Sequence, residues 1–150
     1  MPDPASPWPD YACAIVLSPD GSIWFEDRPP TARHAAGMLT CFGGRRETGE
    51  SPVDCLRREL REELDWEPEV LQKMVELWVA QQPMAWFYLA SPAVTAGDLN
   101  PRVAPARLVS RHHLAQQPVS PWHRAVLDAW QQGVPRVDWN SPGHPVSSPP

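Results

Sequence analysis

Residues 44–66 read GRRETGESPVDCLRRELREELDW. The second half of this stretch is a helix. Ser51 is suited to cap it, Pro52 to its first turn, and Asp54 puts negative charge near its N-terminus. Val53, Leu56, Leu60 and Leu64 recur at three- and four-residue spacing and form one apolar stripe. Placed at about 100° per residue, Glu59, Glu62 and Glu63 share one arc of about 100° beside that stripe. Taken alone, such a charge run most often marks a solvated face, with Arg57, Arg58 and Arg61 neutralising the glutamates. Carboxylates this close also suit a hard divalent cation, which prefers oxygen ligands.

The residues upstream choose between these meanings. Gly43 and Gly44 permit a tight turn and close backbone approach. Five residues separate Gly44 from Glu50, and seven more lead to Arg58-Glu59. Leu60, Glu62-Glu63 and Trp66 follow. This pattern resembles the signature of the Nudix hydrolases, G-x5-E-x7-R-E-U-x-E-E-x-G-U, where U is a bulky apolar residue. Asp65 stands where the family has glycine. Aspartate tolerates the left-handed conformation expected there better than most residues, so a small stability cost and no loss of activity are expected.

The resemblance implies an α/β fold, a Nudix-like α/β/α sandwich with a mixed sheet between helices. It implies hydrolysis of a pyrophosphate bond in a nucleoside di- or triphosphate derivative, with Mg²⁺ or Mn²⁺ as cofactor and water as nucleophile. Glu59, Glu62 and Glu63 would hold the metal, joined by the carbonyl of Gly43 or Gly44. Glu59 or Glu63 would activate the water, and Arg58 would pair with Glu50 to hold the loop against the helix. Many family members place a further acidic residue in a later loop. Here that region offers Asp98, with His112 and His113 as other bases. The plainer reading makes Asp98 turn chemistry and the histidines surface residues opening a helix. That gap motivates a rival reading, a catalytically silent module that binds or senses a nucleotide. Arg45 and Arg46 are the arginines best placed to meet substrate phosphates.

The remaining chain is consistent with a small α/β domain. Strands are expected over Ala12–Leu17, Ser22–Glu26, the run MLTCF (residues 38–42), MVELWVA (74–80), MAWFYLA (84–90) and Ala106–Val109. Gln81-Gln82-Pro83 reads as a tight connection. A second helix is expected over Trp122–Gln132, stopped by Gly133. Trp78, Trp86, Phe87 and Tyr88 read mainly as core, with one or two able to stack on a nucleobase. Of the 150 residues, 20 are proline, clustered at both ends. The expected organisation is a flexible tail over 1–9, a domain over 10–137 and a flexible tail over 138–150.

Composition excludes several classes. A net charge of −5 argues against binding a nucleic-acid duplex. A small anionic nucleotide remains compatible, because a bound divalent metal reverses the local sign. Three cysteines without CxxC spacing argue against a disulfide framework and fit a cytoplasmic protein. No apolar run is long enough to span a membrane, and no signal-peptide pattern opens the chain. The strands leave room for a homodimer without requiring one.

Overall fold

A computed structural model describes residues 7–140. The proline-rich tails expected at the two ends fall largely on 1–6 and 141–150, outside the described residues. In chain order the elements are β1 (Tyr11–Leu17), β2 (Ile23–Asp27), β3 (Leu39–Thr40), β4 (Phe42–Arg45), α1 (Pro52–Leu64), β5 (Val70–Val79), β6 (Gln82–Ser91), β7 (Ala106–Val109), α2 (Pro121–Gln131) and β8 (Arg136–Trp139). Short 3₁₀ turns occupy Ala96–Asp98 and Arg111–Gln116. Among the described residues no helix is long and apolar enough to cross a membrane.

The eight strands form one mixed sheet in the order β3-β2-β1-β6-β5-β8, with β4 paired to β1 and β7 to β2. β1 is the axis. It runs parallel to β6 along its length, while its other edge is divided. Tyr11–Ala14 pair with β4, and Val16–Leu17 pair with β2. The fork places β4 in the sheet beneath α1.

Period-two alternation sorts β1 between two cores. Ala12, Ala14 and Val16 pack with Leu56, Leu60 and Leu64 of α1. Cys13 and Ile15 point the other way, to Trp122, Val126 and Leu127 of α2. The small alanines let α1 approach the sheet closely. Helices therefore cover both faces, as the α/β/α reading expects.

Helix α1 starts and stops where its residues dictate. The Ser51 hydroxyl accepts the Asp54 amide at 3.1 Å, and Pro52 opens the first turn. Asp65 ends it at φ 50°, in the left-handed region where the family carries glycine. Its carboxylate pairs with Arg102 at 3.0 Å, and both side chains are exposed.

Several expectations shift. Gly43 and Gly44 are not a turn: both lie inside β4, opposite Cys13 and Ala12. The β5–β6 turn is Ala80-Gln81, both with positive φ (49° and 65°), and Gln82 and Pro83 already belong to β6. Pro83 is tolerated because pairing with β1 begins only at Ala85. At the C-terminus the boundary at 137 moves outward. Arg136–Trp139 form an edge strand parallel to β5. At the N-terminus Trp8 and Pro9 are held against the loop after β4. The Arg46 guanidinium lies 5.3 Å from the Trp8 ring centre, and its Nε donates to the Pro9 carbonyl at 2.9 Å.

Candidate active site

Glycines in β4 bring the acidic face of α1 onto the sheet. A Cβ on Gly44 would stand 2.4 Å from Glu59 Cδ, so the Glu59 carboxylate fills the space a side chain would need. A Cβ on Gly43 would meet the Ala12 carbonyl oxygen at 2.2 Å, and its φ of +143° already favours glycine. The Gly43 amide donates to Glu63 Oε1 at 3.1 Å. The Gly44 carbonyl lies within 3.6 Å of the Cys55 thiol, a weak donor.

Arg58 organises the loop. Its Nε and Nη2 donate to the two oxygens of Glu50 at 2.7 and 2.9 Å, a forked pair. Nη2 also reaches the Arg45 carbonyl at 3.2 Å. Nη1 stands between Glu59 Oε1 at 2.9 Å and Glu62 Oε2 at 3.4 Å. The Arg58 hydrogen bonds, with the Glu47 amide, hold the Glu50 carboxyl down at about 2. The same contacts push the Arg58 pKa upward.

One member of this cluster comes from outside the motif. Glu26 is only 4 % exposed. The alternation of β2 puts it on the α1 face with Trp24, opposite Glu63. The two carboxyls act on each other at close range, and Arg28 pairs with Glu26 at 3.2 Å. Burial, then the charges of Glu26 and Glu59, push the Glu63 carboxyl up to about 9. Burial also raises Glu59 against the opposing pull of Arg58. Burial raises Glu26 too, so both carboxyls of this pair lie above the ordinary carboxylate range. The signal for Glu26 was present in IWFE, an acid on the inward face of an otherwise apolar strand.

The other expected residues scatter. Arg45 remains exposed beside Gly44, its guanidinium 5.7 Å from the Tyr11 ring centre. Arg46 is spent on the N-terminal segment and on the Glu50 carbonyl at 3.1 Å. Asp98 comes near the end of α1, because the Asn100 and Arg102 amides donate to the Leu64 and Glu63 carbonyls. Its own Oδ2, however, takes the Thr95 amide and hydroxyl at 2.9 and 3.0 Å, the turn chemistry. His112 and His113 sit in the 3₁₀ turn after β7. That turn is tied by Arg111 to Gly21, beyond the Ile23 end of β2. Glu26 is three residues from Ile23, about 10 Å along a strand, in the opposite direction. These histidines and the carboxylate cluster occupy different ends of the sheet.

The donors fit a hard divalent cation. They are carboxylate oxygens and a backbone carbonyl, and a cationic N–H already stands between Glu59 and Glu62. Among the described residues no three acidic, histidine or cysteine side chains converge on one point. Arg58 holds Glu59 and Glu62 while Glu63 turns to Gly43 and Glu26.

The sequence model of the NUDIX domain matches residues 7–130. Solved structures share the fold. The MutT protein of Methanosarcina mazei Go1 is 18% identical, with TM-score 0.67 over 87% of this chain and 97% of that one. The ORF135 protein of E. coli is 25% identical, with TM-score 0.65 over 88% and 94%. The NUDIX domain of Shewanella oneidensis NrtR, solved with ADP ribose, is 15% identical, with TM-score 0.62 over 87% and 92%. No curated protein matches the chain. The chain belongs to the Nudix hydrolase family, whose members generally use divalent metals, and is an enzyme of its pyrophosphohydrolase class.

Proposed function

We propose that the protein cleaves the pyrophosphate bond of a nucleoside di- or triphosphate derivative, with Mg²⁺ or Mn²⁺ as cofactor. The observation that carries this is the seating of the Glu59 carboxylate on Gly44, beside a Glu63 crowded by Glu26. A solvated helix face has no use for carboxylates turned inward against a glycine strand. Glu59, Glu62, Glu63 and the Gly44 carbonyl would hold the cation. When bound, the cation neutralises pyrophosphate oxygens and makes the attacking water more acidic.

The chain's own residues do the rest. Glu59 or Glu63 takes the proton of the attacking water. The water oxygen bonds to phosphorus, the bridging P–O bond breaks and the leaving phosphate carries away the electron pair. Arg58, clamped to Glu50, keeps Glu59 in place, a positioning role. Arg45, exposed and held by a long bond to the Tyr11 hydroxyl at 3.4 Å, would meet substrate phosphates more readily than Arg46.

The test is turnover, with Mg²⁺, of nucleotide sugars, dinucleoside polyphosphates, oxidised nucleoside triphosphates and ADP-ribose. ADP-ribose belongs in the panel because the NrtR domain was solved with it. Turnover that vanishes in Glu59→Gln supports the reading. Binding without turnover of any compound would instead mark a nucleotide-sensing module.

A further inference from the structure

The α1 face of the sheet continues past the helix. Register places Glu76, Trp86, Ala12 and Gly44 in one row across β5, β6, β1 and β4. Gly44 carries the Glu59 carboxylate and Ala12 is buried under α1. Trp86, two strands from Gly44, is the first large side chain of the row beyond the helix. Two strand spacings put it about 10 Å from the carboxylate cluster. A nucleoside 5′-phosphate covers such a separation from phosphate to base.

Trp86 is half-buried against the α1-side core, and a flexible cation lies over its ring. Lys73 Nζ lies 4.0 Å from the ring centre, on a side chain 40% exposed. Lys73 is tied to Glu76 Oε2 at 2.6 Å, and Glu76 Oε1 accepts Trp78 Nε1 at 2.9 Å. Trp86 Nε1 is buried and has no hydrogen-bond partner among the described residues. A wholly structural tryptophan usually satisfies that donor. The ring thus offers a flat π-surface closed by a displaceable side chain, with a cation and a carboxylate at its edge.

We infer that Trp86 is the platform for the substrate's nucleobase. The base takes the place of Lys73 on the ring, and the Lys73–Glu76 pair meets the acceptors and donors of the base edge. This rests on the hydrolase reading for the location of the phosphates. It names the end of the substrate that this chain grips by stacking, a purine or pyrimidine nucleoside.

The test compares affinities, by calorimetry in Mg²⁺, for the four nucleoside 5′-monophosphates and for ribose 5-phosphate, which lacks a base. Wild-type protein is expected to hold at least one nucleotide about tenfold or more tightly than ribose 5-phosphate. Trp86→Ala should collapse that ratio towards one without weakening ribose 5-phosphate, and Trp86→Phe should restore most of it. A wild-type ratio near one, or a ratio unchanged in Trp86→Ala, overturns the platform. Should Trp86→Ala fold poorly, the Trp86→Phe protein still decides. Its fluorescence loses the quenching that nucleotide causes in wild type if the base stacks there, and keeps it if the base lies elsewhere. Failure of the hydrolase reading shows separately, as absent turnover with this ratio intact.

Discussion

The carboxylate of Glu59 occupies the volume that a side chain at position 44 would need, with Glu59 Cδ 2.4 Å from where a Cβ of residue 44 would stand. Gly44→Ala must push that carboxylate aside. The obstacle is the far end of a side chain, so the fold survives. We expect melting within a few degrees of wild type but kcat lower by about 10²-fold, the scale of a displacement of about 1 Å at a reacting centre. Gly43→Ala meets the Ala12 backbone instead, which cannot move away. That variant should lose about 2 kcal/mol or more of stability, measured by urea unfolding. Equal effects of the two substitutions would contradict the assignment.

Arg58 reaches Glu50, Glu59, Glu62 and the Arg45 carbonyl with one planar group. Lysine has a point charge and cannot reproduce the fork. Arg58→Lys should therefore lose about 10- to 100-fold in kcat or metal affinity, the range for residues that orient ligands. A Glu50→Gln protein should lose activity in the same direction. Wild-type kinetics in Arg58→Lys would leave the brace without a function.

Binding of Mg²⁺ or Mn²⁺ to the folded state alone raises stability by mass action. The gain is about 2.7 kcal/mol at a concentration one hundred times Kd. Thermal melts with and without EDTA should differ for wild type. The difference should shrink strongly in Glu59→Gln and Glu63→Gln. A metal-induced shift that both variants retain would move the cation elsewhere.

His123 supplies a pH dependence away from the carboxylates. It is fully buried, and its Nδ1 accepts the Cys41 amide at 3.0 Å, across the break between β3 and β4. Burial, with a smaller push from Arg28, lowers its pKa to about 3 from an ordinary 6.5. Between those values the unfolded chain takes a proton that the folded chain refuses. This contribution is intact above pH 6.5 and is lost as pH falls towards 3, by about 1 kcal/mol per pH unit. His123→Gln retains an acceptor for Cys41 but does not titrate. Its urea midpoint should start lower and fall less steeply over that window. Parallel slopes for the two proteins would remove His123 as the cause.

Asp65 pays a conformational cost at φ 50°, and its exposed ion pair with Arg102 returns little. Asp65→Gly, which restores the family residue, should stabilise the protein by a few tenths to about 1 kcal/mol with kcat unchanged. A less stable variant would show that the contact with Arg102 outweighs the backbone.

The motif and the helix were legible because they are local. Ser51, Pro52, the leucine stripe and the spacing from Gly44 to Trp66 act within a few turns of chain. They specify α1, its cap and its acidic face before any long-range contact forms. The apolar run Ala12–Leu17 did the same for the first strand. β8 was not legible, since Arg136–Trp139 has little strand character of its own and becomes a strand only against the free edge of β5. Gly43 and Gly44 read as a turn from composition alone. Only pairing with Cys13 and Ala12 shows that their missing side chains make room for a backbone and a carboxylate.

The site divides the same way. The amino-acid sequence by itself determined the family motif, the three helical glutamates and the Arg58–Glu50 partnership, since their spacing lies within one helix and its leading loop. Tertiary structure alone decided that Glu26 faces Glu63, that Arg46 is committed to the N-terminal segment while Arg45 stays exposed beside Tyr11, and that Asp98 and the two histidines are not gathered with the carboxylates. Those outcomes depend on which strands pair and which faces α1 covers. Burial and the repulsion of neighbouring charges, which set the protonation of Glu63, arise only once distant segments exclude water together.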